Sequence, residues 1–152
     1  MKYIFQEGEL ELTGHWQDKS MNVLMPVMSE VAGANLVITR DNLPEEAEFS
    51  DYLAVQKKKF RRELSEVKFT EERPCQVENH PAEYWEFSWK MKGASVAQLM
   101  LVVRHGRQIL SLAYTAPGGM PEEERQAMRK TLLTFRFRST KGNETPNGEQ
   151  AC

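Results

Sequence analysis

No apolar run in this sequence approaches the length needed to cross a bilayer, for which a helix requires about 20 consecutive apolar residues. The opening MKYIFQEGELEL is broken by Gln6, Glu7 and Glu9 where a secretory leader would be continuously apolar, so no leader is expected. Charge of one sign is also lacking. Twenty basic residues against 22 acidic ones leave a formal net charge of −2, which argues against nucleic acid or an anionic membrane as partner. Cysteine is scarce: Cys75 and Cys152 stand far apart, the second in a polar stretch. A structural disulfide is therefore not expected, and a reducing cytoplasm is the expected setting. His15, His80 and His105 have no Cys or second His at metal-ligand spacing, and G-x-S-x-G, P-loop and dinucleotide fingerprints are absent. No metal or cofactor is expected. Cys75 has no evident base beside it, the carboxylates sit in runs that read as surface, and the chain is not expected to be an enzyme.

What the chain does have is a strand apolar on both sides. Residues 94–103, ASVAQLMLVV, would place Ala97, Leu99, Leu101 and Val103 on one face and Val96, Met100 and Val102 on the other, with the amide of Gln98 among them. Antiparallel sheets usually bury one face and wet the other. Either a further layer of the same chain covers the second face, or another molecule does. With 152 residues and 40% hydrophobic content, a single domain over residues 1–138 has enough chain for a real core. Residues 139–152, STKGNETPNGEQAC, read as a disordered tail.

Alternation and turn residues predict further strands over residues 2–5, 9–13, 21–27, 34–40, 67–77 and 82–90, with Pro26 marking an edge or an ending. A helix is expected over residues 50–64, capped by Ser50, with Phe49, Leu53, Phe60 and Leu64 on one stripe. A second is expected over residues 121–135, burying Met128, Leu132 and Phe135. The run Lys57, Lys58, Lys59, Arg61, Arg62 reads as the solvated side of the first helix. The fold class is α+β: an antiparallel sheet with helices packed on it.

A three-residue loop, Met91-Lys92-Gly93, would set Phe87 opposite Ala97 and Trp85 opposite Leu99. That register gathers Trp85, Phe87 and Trp89 with Leu99, Leu101, Leu110, Leu112 and Tyr114 into one core face. A turn at His105-Gly106 then leaves Val96, Gln98, Met100, Val102, Ile109, Ser111, Ala113 and Thr115 together on the opposite face. Small residues there admit a second backbone, methionine adapts its shape, and amides can bond groups that burial would otherwise leave unpaired. This face is the expected binding groove.

Five short motifs extend the reading: W-Q-D-x-S-x-N (Trp16, Gln17, Asp18, Ser20, Asn22), N-L-V-I-T-R-D (residues 35–41), Y-L-x-x-Q (Tyr52, Leu53, Gln56), V-x-Q (Val96, Gln98) and T-F-R (Thr134, Phe135, Arg136). In this order and spacing, over residues 1–138, the chain resembles the Eag chaperones of bacterial type VI secretion. The resemblance implies a Mog1/PsbP-like α+β fold, a cytoplasmic homodimer, and an adaptor rather than an enzyme. The implied partner is an effector with N-terminal transmembrane helices and a PAAR-like domain, shielded in the cytoplasm and loaded onto the VgrG spike. Gln56 and Gln98 correspond by motif to two glutamines of the family's apolar groove. Met21 and Val23 fall where the family has groove residues, so the implied effector-binding set adds Met21, Val23, Met25, Val37 and Gln56 to the sheet residues above. Lys57 and Lys58 depart from the pattern, since aliphatic residues are common there. The alternative is a Mog1-like interaction module for a soluble partner such as a GTPase, which has no need of an open apolar face.

Overall fold

The computed structural model describes residues 1–29, 31–138 and 152. Strands β1 (Lys2–Phe5) and β2 (Gly8–Glu11) form a separate two-stranded hairpin. The main sheet comprises β3 (Asn22–Leu24), β4 (Asn35–Asn42), β5 (Ser65–Val77), β6 (His80–Met91), β7 (Ala94–His105) and β8 (Gln108–Pro117), in the order β3-β4-β8-β7-β6-β5. All its pairings are antiparallel. Helix α1 (Phe49–Glu63) joins β4 to β5, and α2 (Glu122–Leu133) follows β8. The fold is α+β, as the alternation predicts. Position explains the prolines: β3 and β5 are the edge strands, so Pro74 inside β5 needs to donate to one neighbour at most. Pro26 lies just beyond β3, which is shorter than its sequence pattern suggests.

The two-residue period of β7 is as expected. Leu99, Leu101 and Val103 lie on one face with Tyr84, Leu112 and Tyr114, under Leu132 of α2. The register of the β6–β7 hairpin is not. Met91 pairs with Ala94, leaving only Lys92-Gly93 as the turn, and both take positive φ, 51° and 81°. Such a two-residue turn suits the twist of the flanking strands. Phe87 therefore faces Gln98, and Trp85 faces Met100. A slip of one residue moves every side chain to the other face, so Trp85, Phe87 and Trp89 join Met100, Val102 and Ile109 instead of the leucines. The β7–β8 turn falls at Gly106-Arg107, one residue later than expected. Pairing there shifts by two, and the faces are conserved.

The displaced aromatics determine where α1 packs. Phe60 stacks on Phe87 at 5.4 Å and meets Trp85 edge-on at 6.3 Å, while Phe49 and Leu53 are buried with Trp85, Met100, Val102 and Ile109. Each sheet face thus has its own helix. Expected caps differ as well: α1 begins after Glu48 with no side-chain cap, and Ser50 lies inside the helix.

Two expectations about single residues are corrected. Glu86, read as a surface carboxylate, has a side chain only 8% exposed and is ringed by Arg125 and Arg129. Cys75 and Cys152, expected to be unpaired, form a disulfide. The bond closes because Cys152 returns to the end of β5, where its amide donates to the Gln76 carbonyl at 2.9 Å. Residues 139–151, the rest of the expected tail, lie outside the described residues.

Candidate partner-binding face

The face under α1 is only partly covered. Cross-strand rows run Trp85, Met100, Ala113, Val37, Val23 and, one step along, Phe87, Gln98, Thr115, Asn35. A third row runs Glu83, Val102, Ser111, Thr39. The β6–β7 ends of these rows lie beneath α1. Toward β8, β4 and β3 the same rows emerge: Ala113, Ser111, Thr115, Val37 and Asn35 are half-buried, and Val23 is 58% exposed. The result is an uncovered strip of small and aliphatic side chains beside a helix.

The sequence-derived residues divide along this line. Met21, Val23 and Met25 are exposed on or beside the edge strand. Val37, Gln56, Gln98, Ser111 and Ala113 are half-buried. Val96, Met100, Val102 and Ile109 are all under 9% exposed and belong to the interior. They lie beneath the strip, in the part of this face on which α1 packs.

Gln98 is held in place. Its Oε1 accepts from Trp89 Nε1 at 3.0 Å, which leaves the amide N–H groups as the free side of the side chain. On α1, the Tyr52 hydroxyl donates to Asp41 of β4 at 3.0 Å. Burial, reinforced by that carboxylate, pushes the Tyr52 hydroxyl well above its usual pKa and keeps it a donor. One turn later, the half-buried Gln56 lies on the same side of the helix as Tyr52. Lys57 faces the other way: its Nζ pairs with Glu72 at 2.8 Å and Glu83 at 3.3 Å, and stands 5.1 Å from the Trp85 ring centroid. The departure at Lys57 therefore does not charge the strip.

The sequence reading missed Asn35 and Thr39 as members of these rows and Tyr52 as part of the wall. The period-two pattern of residues 35–39 carried the first two. The motif Y-L-x-x-Q named Tyr52 without assigning it to the site, since its place depends on the crossing of α1 over the sheet. Among the described residues no cluster of three or more His, Cys, Asp or Glu is placed to hold a metal ion. No helix among them is long and apolar enough to cross a membrane.

Fold and strip together define an α+β domain with one helix on each sheet face and an apolar margin left open beside α1. The chain belongs to the DcrB family, whose description matches residues 7–134. A curated relative, Effector EagT6 of Pseudomonas aeruginosa, is 26% identical over 132 residues, covering 84% of this chain and 92% of the relative. It carries the Eag name to which the motif pattern points. Among solved structures, the Pseudomonas aeruginosa protein of unknown function PA94 aligns with a TM-score of 0.76 at 23% identity, over 92% of this chain and 98% of that one. At that identity the likeness establishes the fold alone.

Proposed function

We propose that this chain is an Eag-type effector chaperone of type VI secretion, which receives an apolar segment of its effector on the open strip between α1 and β3. The uncovered strip carries the proposal: a soluble domain that completes its core on both faces and still exposes aliphatic rows has an unfilled binding surface. Likeness to a relative named Effector EagT6 supports the choice of partner. Within the Eag group the motif set resembles the SciW type. The partner is an effector with N-terminal transmembrane helices and a PAAR-like domain, held in the cytoplasm until it reaches the VgrG spike. No catalysis is involved, and the working unit is a homodimer.

Burial on the strip contributes roughly 25 cal/mol per Å² of apolar area removed from water, which favours any apolar helix. Selectivity comes from the two amides. Gln56 and Gln98 can each bond a polar side chain or an exposed carbonyl of the effector, worth about 0.5 to 1.5 kcal/mol net. Gln98→Ala is expected to weaken recovery of the effector's N-terminal segment modestly in co-purification, and Gln56→Ala with Gln98→Ala to weaken it further. Val23→Asp leaves an unpaired carboxylate in the interface and is expected to abolish recovery. Because Val23 is exposed, that variant should melt with the wild type. Full recovery of the segment by folded Val23→Asp protein rules the strip out as the site.

A further inference from the structure

Cys75 is 7% exposed, among Val77, Ala82 and Tyr84 on the α2 side of the sheet. Its disulfide partner Cys152 lies 77 residues later and is half-buried, less so than Cys75, at the margin of the same cluster. Chain at two separate positions converges on this corner. The Cys152 amide donates to the Gln76 carbonyl at 2.9 Å, and the Phe137 amide donates to Glu78 Oε1 at 2.6 Å, with its ring stacked on His105 at 4.5 Å. The corner is at the outer strand of the sheet, on the face opposite the open strip. The bond lies at the margin of the cluster that α2 covers, and the cluster under α1 contains neither cysteine.

We propose that Cys152 is a thiol-modification site and Cys75 its resolving partner, forming a reversible redox pair that ties Cys152 to β5 when oxidised and frees it when reduced. Burial sets the order of events. A low-molecular-weight thiolate of the glutathione class attacks Sγ of Cys152, the less buried of the two cysteines. The Cys75–Cys152 bond breaks, and Cys75 leaves as a thiolate that takes up a proton. A second small thiolate then attacks the small-molecule sulfur of the mixed disulfide. Cys152 departs as thiolate, and one small-molecule disulfide carries away the bond. Oxidation runs the same steps backwards: Cys152 exchanges with a small disulfide, and Cys75 resolves the adduct from its apolar side. A reducing compartment holds the pair open and an oxidising one closes it.

The test uses the intact chain equilibrated in glutathione buffers from fully reduced to fully oxidised, quenched in acid, then unfolded in denaturant and tagged with a heavy maleimide so that both thiols are reached. Two tagged thiols are expected in reduced buffer and none in oxidised buffer, with one midpoint between them. Cys75→Ala exposed to oxidised glutathione should acquire one adduct at Cys152 by intact mass. Cys152→Ala, whose remaining thiol is buried, should acquire it at least tenfold more slowly, roughly as access dictates. Circular dichroism confirms that each variant is folded. Equal or faster modification of Cys75, a folded wild type that stays fully tagged in oxidised buffer, or a bond that millimolar glutathione cannot open in the folded protein each overturns the proposal. Effector recovery does not enter these readouts, so the redox pair and the strip stand or fall separately.

Discussion

Glu86 shows how much one side chain can hold. It accepts from Tyr84 at 2.8 Å, from Arg125 at 3.0 Å and from Arg129 at 3.1 Å, while Arg129 also pairs with Glu71 at 2.6 Å. Burial first, and then the bond to Glu86, raises the Tyr84 hydroxyl well above its usual pKa. Glu86→Ala would leave the buried Tyr84 hydroxyl without its acceptor and take one acceptor from each of two α2 arginines, Arg125 keeping Glu122 and Arg129 keeping Glu71. Removing one partner of a fully buried pair costs about 3 to 5 kcal/mol. Both arginines keep about 30% of their side chains exposed, which lowers the expectation to about 2 to 3 kcal/mol in urea melts. Glu122 makes the contrasting case. Bonds from Arg125 first and Gln126 second hold its exposed carboxyl down, from an ordinary 4.5 to about 2. A depressed carboxyl stabilises the fold above its unfolded value and loses that contribution as the pH falls through the folded one. The stability difference between wild type and Glu122→Gln should therefore be full above pH 4.5 and shrink toward pH 2, read from chemical melts across that window.

At the scale of elements, the β6–β7 hairpin governs the layout, because its turn length decides which face receives the tryptophans. Lys92 sits at φ 51° and Gly93 at φ 81°, with open space around the position a Gly93 Cβ would take. The cost of Gly93→Ala is therefore conformational, about 1 kcal/mol. Lys92→Asn, which suits a left-handed turn position better, should raise stability by about 0.5 kcal/mol; thermal melts of both variants check the pair of signs. This turn also marks how far the sequence could be read. Period-two patterning located β6, β7 and β8 and separated Leu99 and Leu101 from Met100 and Val102, because alternation is a local property. Whether Met91 belonged to strand or loop was a one-residue question with no local signal, and on it depended the face of Trp85 and Phe87 and the packing of α1. Gln98, Ser111 and Ala113 were assigned to a common face because the β7–β8 error was an even number of residues. Glu86 was misread because charge alternating with aromatics looks like a solvated face until a helix bearing Arg125 and Arg129 packs over it.

Viewed whole, the molecule is uneven in its finish. Apart from Val55 and Met91, every strongly exposed large apolar side chain among the described residues lies within residues 1–28, including Ile4, Leu10, Trp16, Val27 and Met28. The hairpin of β1 and β2 forms a sheet of its own, and isolated two-stranded hairpins are marginal in water. One side of it carries Tyr3, Phe5 and Leu10 in register, above a mostly apolar hollow of about 290 Å³ bordered by Leu12 and Trp16. Apolar surface concentrated in one segment favours a lasting partner over a transient one, since obligate interfaces are the more hydrophobic class. A second copy of the chain meets that need and agrees with the homodimer proposed for the working protein. Sedimentation velocity at micromolar concentration should give a species of twice the 17.6 kDa chain mass. Leu10→Glu with Trp16→Glu, both exposed in the single chain, should shift it to monomer without unfolding the six-stranded sheet. A wild type that sediments only as a monomer removes the homodimer, and a double variant that remains dimeric moves the interface away from this arm.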